Sequence, residues 1–260
     1  MRCPVCGKEF CSSHFDKWWD PDRFDWNKSD RLAETCAEHF FTWWNSDRYD
    51  WDNASRELAK YCCKFFHVWW NPDKFNWEKA AWTLARYCKE HFHEWWNPNR
   101  YDWETFSSSL ATYCSEYFNI WWDSDRYNWR EASWALAEYC SDYFSQWWDP
   151  NRYNWEDASP ELAKYCFEYF NVWWNPDKFN WNGSDLLAEC CSKYFDTWWD
   201  PDRYDWETSS YALAKFCSKH FHKWWIPERF NPDHVWYLEQ FCSEYRGIWE
   251  VDLKLLELLS

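Results

Sequence analysis

Four residues near the start of the chain have the types and spacing of a metal site. Cys3-Pro4-Val5-Cys6 is a Cys-x-x-Cys knuckle, and Cys11-Ser12-Ser13-His14 adds a second pair three residues apart, on one face of a helical turn. Three thiolates and one imidazole close a tetrahedral structural site and leave no open position for chemistry. One structural zinc held by Cys3, Cys6, Cys11 and His14 is therefore expected. Cys36/His39, Cys88/His91 and Cys217/His220 repeat the Cys-x-x-His spacing without a knuckle nearby, so only Cys3 and Cys6 are additional.

Other residues capable of chemistry read as structure. The 14 cysteines include a ladder at Cys11, Cys36, Cys62, Cys88, Cys114, Cys140, Cys166, Cys191 and Cys217. Equivalent positions on neighbouring helices lie beyond disulfide reach, and a free Cys is a favoured small buried residue between large rings. The Asp-x-Asp-x-x-Asp text (Asp20, Asp22, Asp25; Asp200, Asp202, Asp205) has ligands for calcium. An Arg or Lys sits inside it and the tight-turn Gly is missing, so capping and Arg–Asp pairing are expected instead. No Ser/His/Asp or paired-carboxylate arrangement is distinctive, which points away from an enzyme.

The elements that position these residues come from a repeat. Trp doublets begin at 18, 43, 69, 95, 121, 147, 173, 198 and 224, with six steps of 26 residues and two of 25. Phe lies three residues before every doublet, from Phe15 to Phe221, and Leu-Ala precedes most of them by eleven and ten. Leu58, Tyr61, Cys62, Phe65, Phe66 and Trp69 recur at steps of three and four, the stripe of one α-helix. Asn71-Pro72-Asp73 predicts a short helix or 3₁₀ turn over residues 72–76. The 25-residue units lack one residue between the third Trp and Leu, as in Trp26-Asn27-Lys28-Ser29-Asp30. A deletion inside a helix would rotate the stripe by ~100°. The long helix, of ~15 residues, is therefore expected to begin near Ser29 or Ser55, with the third Trp in the short element.

The fold class that follows is all-α, an elongated right-handed α-solenoid of ~26-residue repeats. Residues 1–17 form a zinc-knuckle cap merging into the first repeat helix, 18–225 the Trp-rich array, and 226–260 a divergent capping repeat with a terminal helix. In that last unit Pro232 replaces the third Trp, Arg246 the Phe and Glu250 the second Trp of the doublet. The Leu-rich 253–259 stretch then suggests a lid or a dimer contact. In its plan of a cysteine-bearing head followed by units of one helix and one tight helical turn, the chain resembles leucine-rich-repeat-variant proteins. The resemblance implies fold alone.

Composition bounds the function. Aromatics dominate the apolar share (30 Trp, 20 Phe, 17 Tyr), which excludes disorder, and the net charge is −16. That balance opposes direct nucleic-acid binding. No run approaches the ~18 apolar residues of a membrane span, and unpaired thiols fit a cytoplasmic protein. The two positions before each doublet vary between units, unlike the stripe. His67, His93, Glu94, Asn119, Gln146, Asn171, His222 and Lys223 are the candidate residues for binding a protein or peptide partner. The expected function is a non-enzymatic interaction scaffold; the alternative is an acidic decoy that mimics DNA toward a DNA-binding protein.

Overall fold

The computed structural model describes residues 2–259. The chain divides into two compact units, Met1–Asn128 and Trp129–Ser260. Each is a series of helical repeats, and within each unit every long helix packs against the next, the plan of a helical solenoid. In the first unit the long helices are Ser29–Thr35, Trp51–Tyr61, Trp77–Tyr87 and Trp103–Cys114. In the second they are Trp129–Tyr139, Trp155–Tyr165, Ser184–Cys190, Trp206–Phe216 and Val235–Phe241.

One repeat shows why the sequence folds this way. Asp50 caps the helix, its side chain accepting the Asn53 N–H, and Asn76 does the same for Lys79 one repeat later. Such caps contribute about 1 kcal/mol each. The helix stops at Cys62 (φ −116, ψ 18), where a 3₁₀ turn Cys63–Phe65 leads into a four-residue helix, Phe66–Trp69. At the break the Cys62 carbonyl accepts the Phe65 N–H (2.9 Å) in a 3₁₀ bond and, with its second lone pair, the indole N–H of Trp69 at 2.8 Å. The same bond joins Trp43 to Cys36 and Trp95 to Cys88. The expected single helix of ~15 residues is thus two helices joined by a tighter turn, and the apolar stripe survives across the joint.

The start of the long helix also differs from expectation. In the 26-residue units it begins at the third Trp, four residues before Ser55. The two short units behave as their deletion implies, with α-helices from Ser29 and Ser184. There the third Trp opens a separate 3₁₀ turn, Trp26–Lys28 or Trp181–Gly183. A 3₁₀ turn uses fewer residues than an α-turn, so the missing residue is absorbed without rotating the stripe. Ser29 and Ser55 end in equivalent places: each hydroxyl accepts a backbone N–H 21 positions ahead, from Asp50 and Asn76. Residues 72–75 form a turn rather than a helix, closed by Asn71, whose Oδ1 accepts the Asp73 N–H at 3.0 Å.

Repeats join through rings and carbonyls. Phe66 stacks on its own Trp70 (5.1 Å, 19°) and on His91 of the following repeat (4.3 Å, 5°). Phe40–Phe65 and Phe92–Tyr117 repeat the second contact. Buried Cys thiols face an Ala carbonyl of the repeat before, as Cys62, Cys88 and Cys166 face Ala33, Ala59 and Ala137. Along the turns Arg and Lys side chains reach back one repeat: Arg48 to Asp22, Lys74 to Asp47, Arg203 to Asp177.

Two places depart from the pattern. Pro160 stands inside Trp155–Tyr165 and lacks the N–H that would bond the Glu156 carbonyl; that carbonyl keeps the bond from Asn180 Nδ2 (2.6 Å) that its equivalents receive elsewhere, as Asp52 does from Asn76. The same proline abuts Gly183 so closely that a Cβ there would sit 2.7 Å from its ring. At the other departure, Arg246–Leu259 continues as one helix past the buried Trp249, where other repeats turn. Arg246 pairs with Glu250, and Asp252 accepts the Trp225 indole N–H. Leu258 and Leu259 on it are exposed.

Candidate metal centre

The head is a small hairpin. Arg2 and Glu9 form an antiparallel bridge, Cys3 N–H donates to the Lys8 carbonyl (2.8 Å), and Gly7 N–H to that of Cys3 (2.9 Å). Gly7 has φ 73, the left-handed turn that a knuckle requires and that glycine adopts without strain. Phe10 also has positive φ (50) and is held there by burial, edge-on to Trp18 and Phe24 at 6.1 and 6.2 Å. Its carbonyl faces the Cys36 thiol at 3.7 Å, the place an Ala carbonyl takes in later repeats. The chain around Phe10 therefore stands in for the helix end that a preceding repeat would supply. Sequence reasoning missed this anchor, because Phe10 lies outside the repeat text.

The hairpin brings all four predicted ligands together. Cys3 Sγ, Cys6 Sγ, Cys11 Sγ and a His14 ring nitrogen lie within 4.8 Å of one another. Cys6–Cys11 and Cys11–His14 Nδ1 are both 3.4 Å apart, and Val5 N–H points at Cys3 Sγ at the same distance. A tetrahedral zinc with bonds near 2.3 Å to sulfur separates its ligands by about 3.8 Å, so type and spacing fit such an ion. Cys3 is buried and Cys6 exposed. His14 occupies the position whose ring, in His39 and His91, stacks on the preceding repeat's Phe. In His14 the imidazole faces the thiols, its Nδ1 3.4 Å from Cys11 Sγ.

The remaining ladder thiols are a different chemistry. Burial pushes Cys62, Cys114, Cys140, Cys166, Cys191, Cys217 and Cys242 up to about 12. They are protonated, desolvated packing groups, unsuited to nucleophilic work.

The candidate partner residues are exposed, as expected. They are the second and third residues of the four-residue helices: His67, His93, Glu94 and Asn119 in the first unit, and Gln146, Asn171, His222 and Lys223 in the second. Most stand apart. Lys223 pairs with Asp196 (2.6 Å), His93 and His222 meet Tyr117 and Tyr245 edge-on, and His67 and Glu94 meet around His91. His91 and Asp196 were not among the predicted residues. Both could have been found by pairing positions one repeat apart.

Among the described residues no helix is long and apolar enough to cross a membrane. No protein-family model matches the chain, and neither a curated protein nor a solved structure is similar to it.

Proposed function

We propose that this chain is a non-enzymatic helical-repeat scaffold, displaying a row of variable side chains on an invariant aromatic frame and binding a protein or peptide partner. One observation supports this above others. In the short helix Phe66–Trp69 the first and last residues are buried and the middle two exposed, and the same alternation holds from Phe40–Trp43 to Phe221–Trp224. Variation is concentrated where solvent, and hence a partner, is met. The decoy reading is weaker, because Arg48, Lys74, Arg203 and Arg229 stand against the turn carboxylates that would imitate phosphates. The test is affinity capture with Gln146→Arg/Asn171→Arg in the second unit and, separately, with His93→Glu/Asn119→Arg in the first, each against an Asp47→Asn/Asp202→Asn control in the turns. Loss of the captured partner with either row variant and not with the control supports the row; loss only with the control moves binding to the turns.

In the same reading, Cys3, Cys6, Cys11 and His14 hold a structural zinc that ties the hairpin to the first repeat. Zinc contributes folding free energy where its ligands are otherwise disordered. Cys3→Ser with Cys6→Ser removes that metal and frays the first repeats, leaving later ones folded, because stability in repeat arrays is local. Elemental analysis of chelator-free protein reads the outcome; under about a tenth of an equivalent in the wild type would sink the site.

A further inference from the structure

The geometry points to a second metal site, at His67, His91 and Glu94, which binds a divalent transition ion of the zinc class on the surface between two repeats. His67 Nδ1 lies 3.0 Å from Glu94 Oε2, and His91 Nδ1 lies 3.0 Å from Glu94 Oε1. All three ligand atoms fall within 4.8 Å of one another. Ligands at 2.0–2.2 Å from a tetrahedral ion sit about 3.3–3.6 Å apart, so the three donors are already near the edges of a coordination polyhedron. Two imidazoles and a carboxylate suit zinc, nickel or copper rather than calcium or magnesium, which take all-oxygen sets.

The site is held in place from beneath. His91 is fixed by its stack on Phe66, the contact every repeat needs at that position, so its Nδ1 direction is set by the frame. His67 then meets the His91 ring edge-on at 4.8 Å, with its side chain 69% exposed. Three protein ligands leave a coordination position facing solvent, open to water or to a ligand from a bound partner. His67 comes from one repeat and His91 with Glu94 from the next, so an ion bound here fastens two repeats together.

The sequence supplies this set at one junction. Other junctions hold at most two such ligands: the equivalent positions read, among others, Asp16/His39/Thr42, Phe41/Phe65/Val68, His93/Tyr117/Ile120 and Asp196/His220/Lys223. At the last of these Lys223 Nζ already sits against Asp196, placing the chain's own cation beside the carboxylate.

The array also provides substitutions that its frame accepts. His91→Tyr keeps the stack, as Tyr117 does; His67→Asn and Glu94→Val install residues found at Asn119 and Val68. The experiment dialyses full-length wild type and each variant against micromolar free zinc near neutral pH, then counts bound metal and follows the melting temperature. We expect wild type to hold one more equivalent than each variant. Affinity for that ion should fall by more than the 10–100-fold that second-shell losses alone produce. Zinc should raise the melting temperature of wild type above that of the variants. Equal zinc content in wild type and His91→Tyr overturns the site. So does an extra equivalent that persists in Glu94→Val and His67→Asn. Because the difference between proteins is read, the result does not depend on what Cys3 and its partners hold.

Discussion

Two junctions between repeats share a backbone and differ in what they present. At one, His67, His91 and Glu94 converge; at the other, the same three positions hold Asp196, His220 and Lys223. In both the histidine ring stacks on the preceding Phe, His91 on Phe66 at 4.3 Å and His220 on Phe195 at 4.5 Å. In both the outer two positions are exposed. One presents a carboxylate shared by two imidazoles, the other a neutralised ion pair. The frame is therefore indifferent to the pair it carries, and chemistry is written in two residues per repeat. That separation can be attacked from either side.

The largest effect should come from charging the frame. The buried thiols titrate from about 9 when unfolded to about 12 when folded. Their protonated state is held more tightly in the fold, so the stability they contribute is complete below about pH 9 and is lost as pH rises toward 12. Each pKa unit is worth about 1.4 kcal/mol. Several such thiols ionise together in that window, against the roughly 5–15 kcal/mol by which domains are stable. Far-UV dichroism should show cooperative loss of helix within that window, and an array still folded at its upper end would contradict burial as the cause. Next in size, Phe92→Ala removes a fully buried ring stacked on Tyr117 and Trp96. A denaturant melt should register a loss of about 3–5 kcal/mol.

Smaller effects test the boundary between frame and display. Gly183→Ala drives a methyl into Pro160 and should cost about 1–3 kcal/mol. Adding Pro160→Gly, which removes both ring atoms that the methyl would meet, should shrink that penalty in a double-mutant cycle. The display itself should be free to change. Asp196→His with Lys223→Glu at the His220 junction is expected to install a metal site while leaving the denaturation midpoint where it was. Least of all, Lys223→Ala, which removes an exposed ion pair, should leave the midpoint unchanged within error.

Much of the frame could be read from residue spacing. The stripe from Leu58 to Trp69, the Phe and Cys positions and the register between repeats all follow from period and burial. The break at Cys62 could not, because a four-residue helix after a 3₁₀ turn keeps the same three- and four-residue spacing as an unbroken helix. The helix start was legible in the short units and wrongly extended to the long ones, where Trp51 needs no separate turn. For the head, ligand types alone located Cys3, Cys6, Cys11 and His14, since few other uses exist for such a knuckle. His91 was concealed by its own structural role. Its position accepts His, Phe or Tyr for stacking, and only His67 and Glu94 beside it give its nitrogen something further to do.

The fit of Pro160 against Gly183 bears on how such a chain can be copied. Near-identical blocks invite slippage, and a gain or loss of one whole block would leave every Cys, Ser and Trp bond with a counterpart. A loss running from residue 161 through 185 is different. It would set Pro160 against Ser209, which follows one block after Gly183 and carries the Cβ that this proline excludes. The two blocks are tied as neighbours, and here the order of repeats is inherited as a pair.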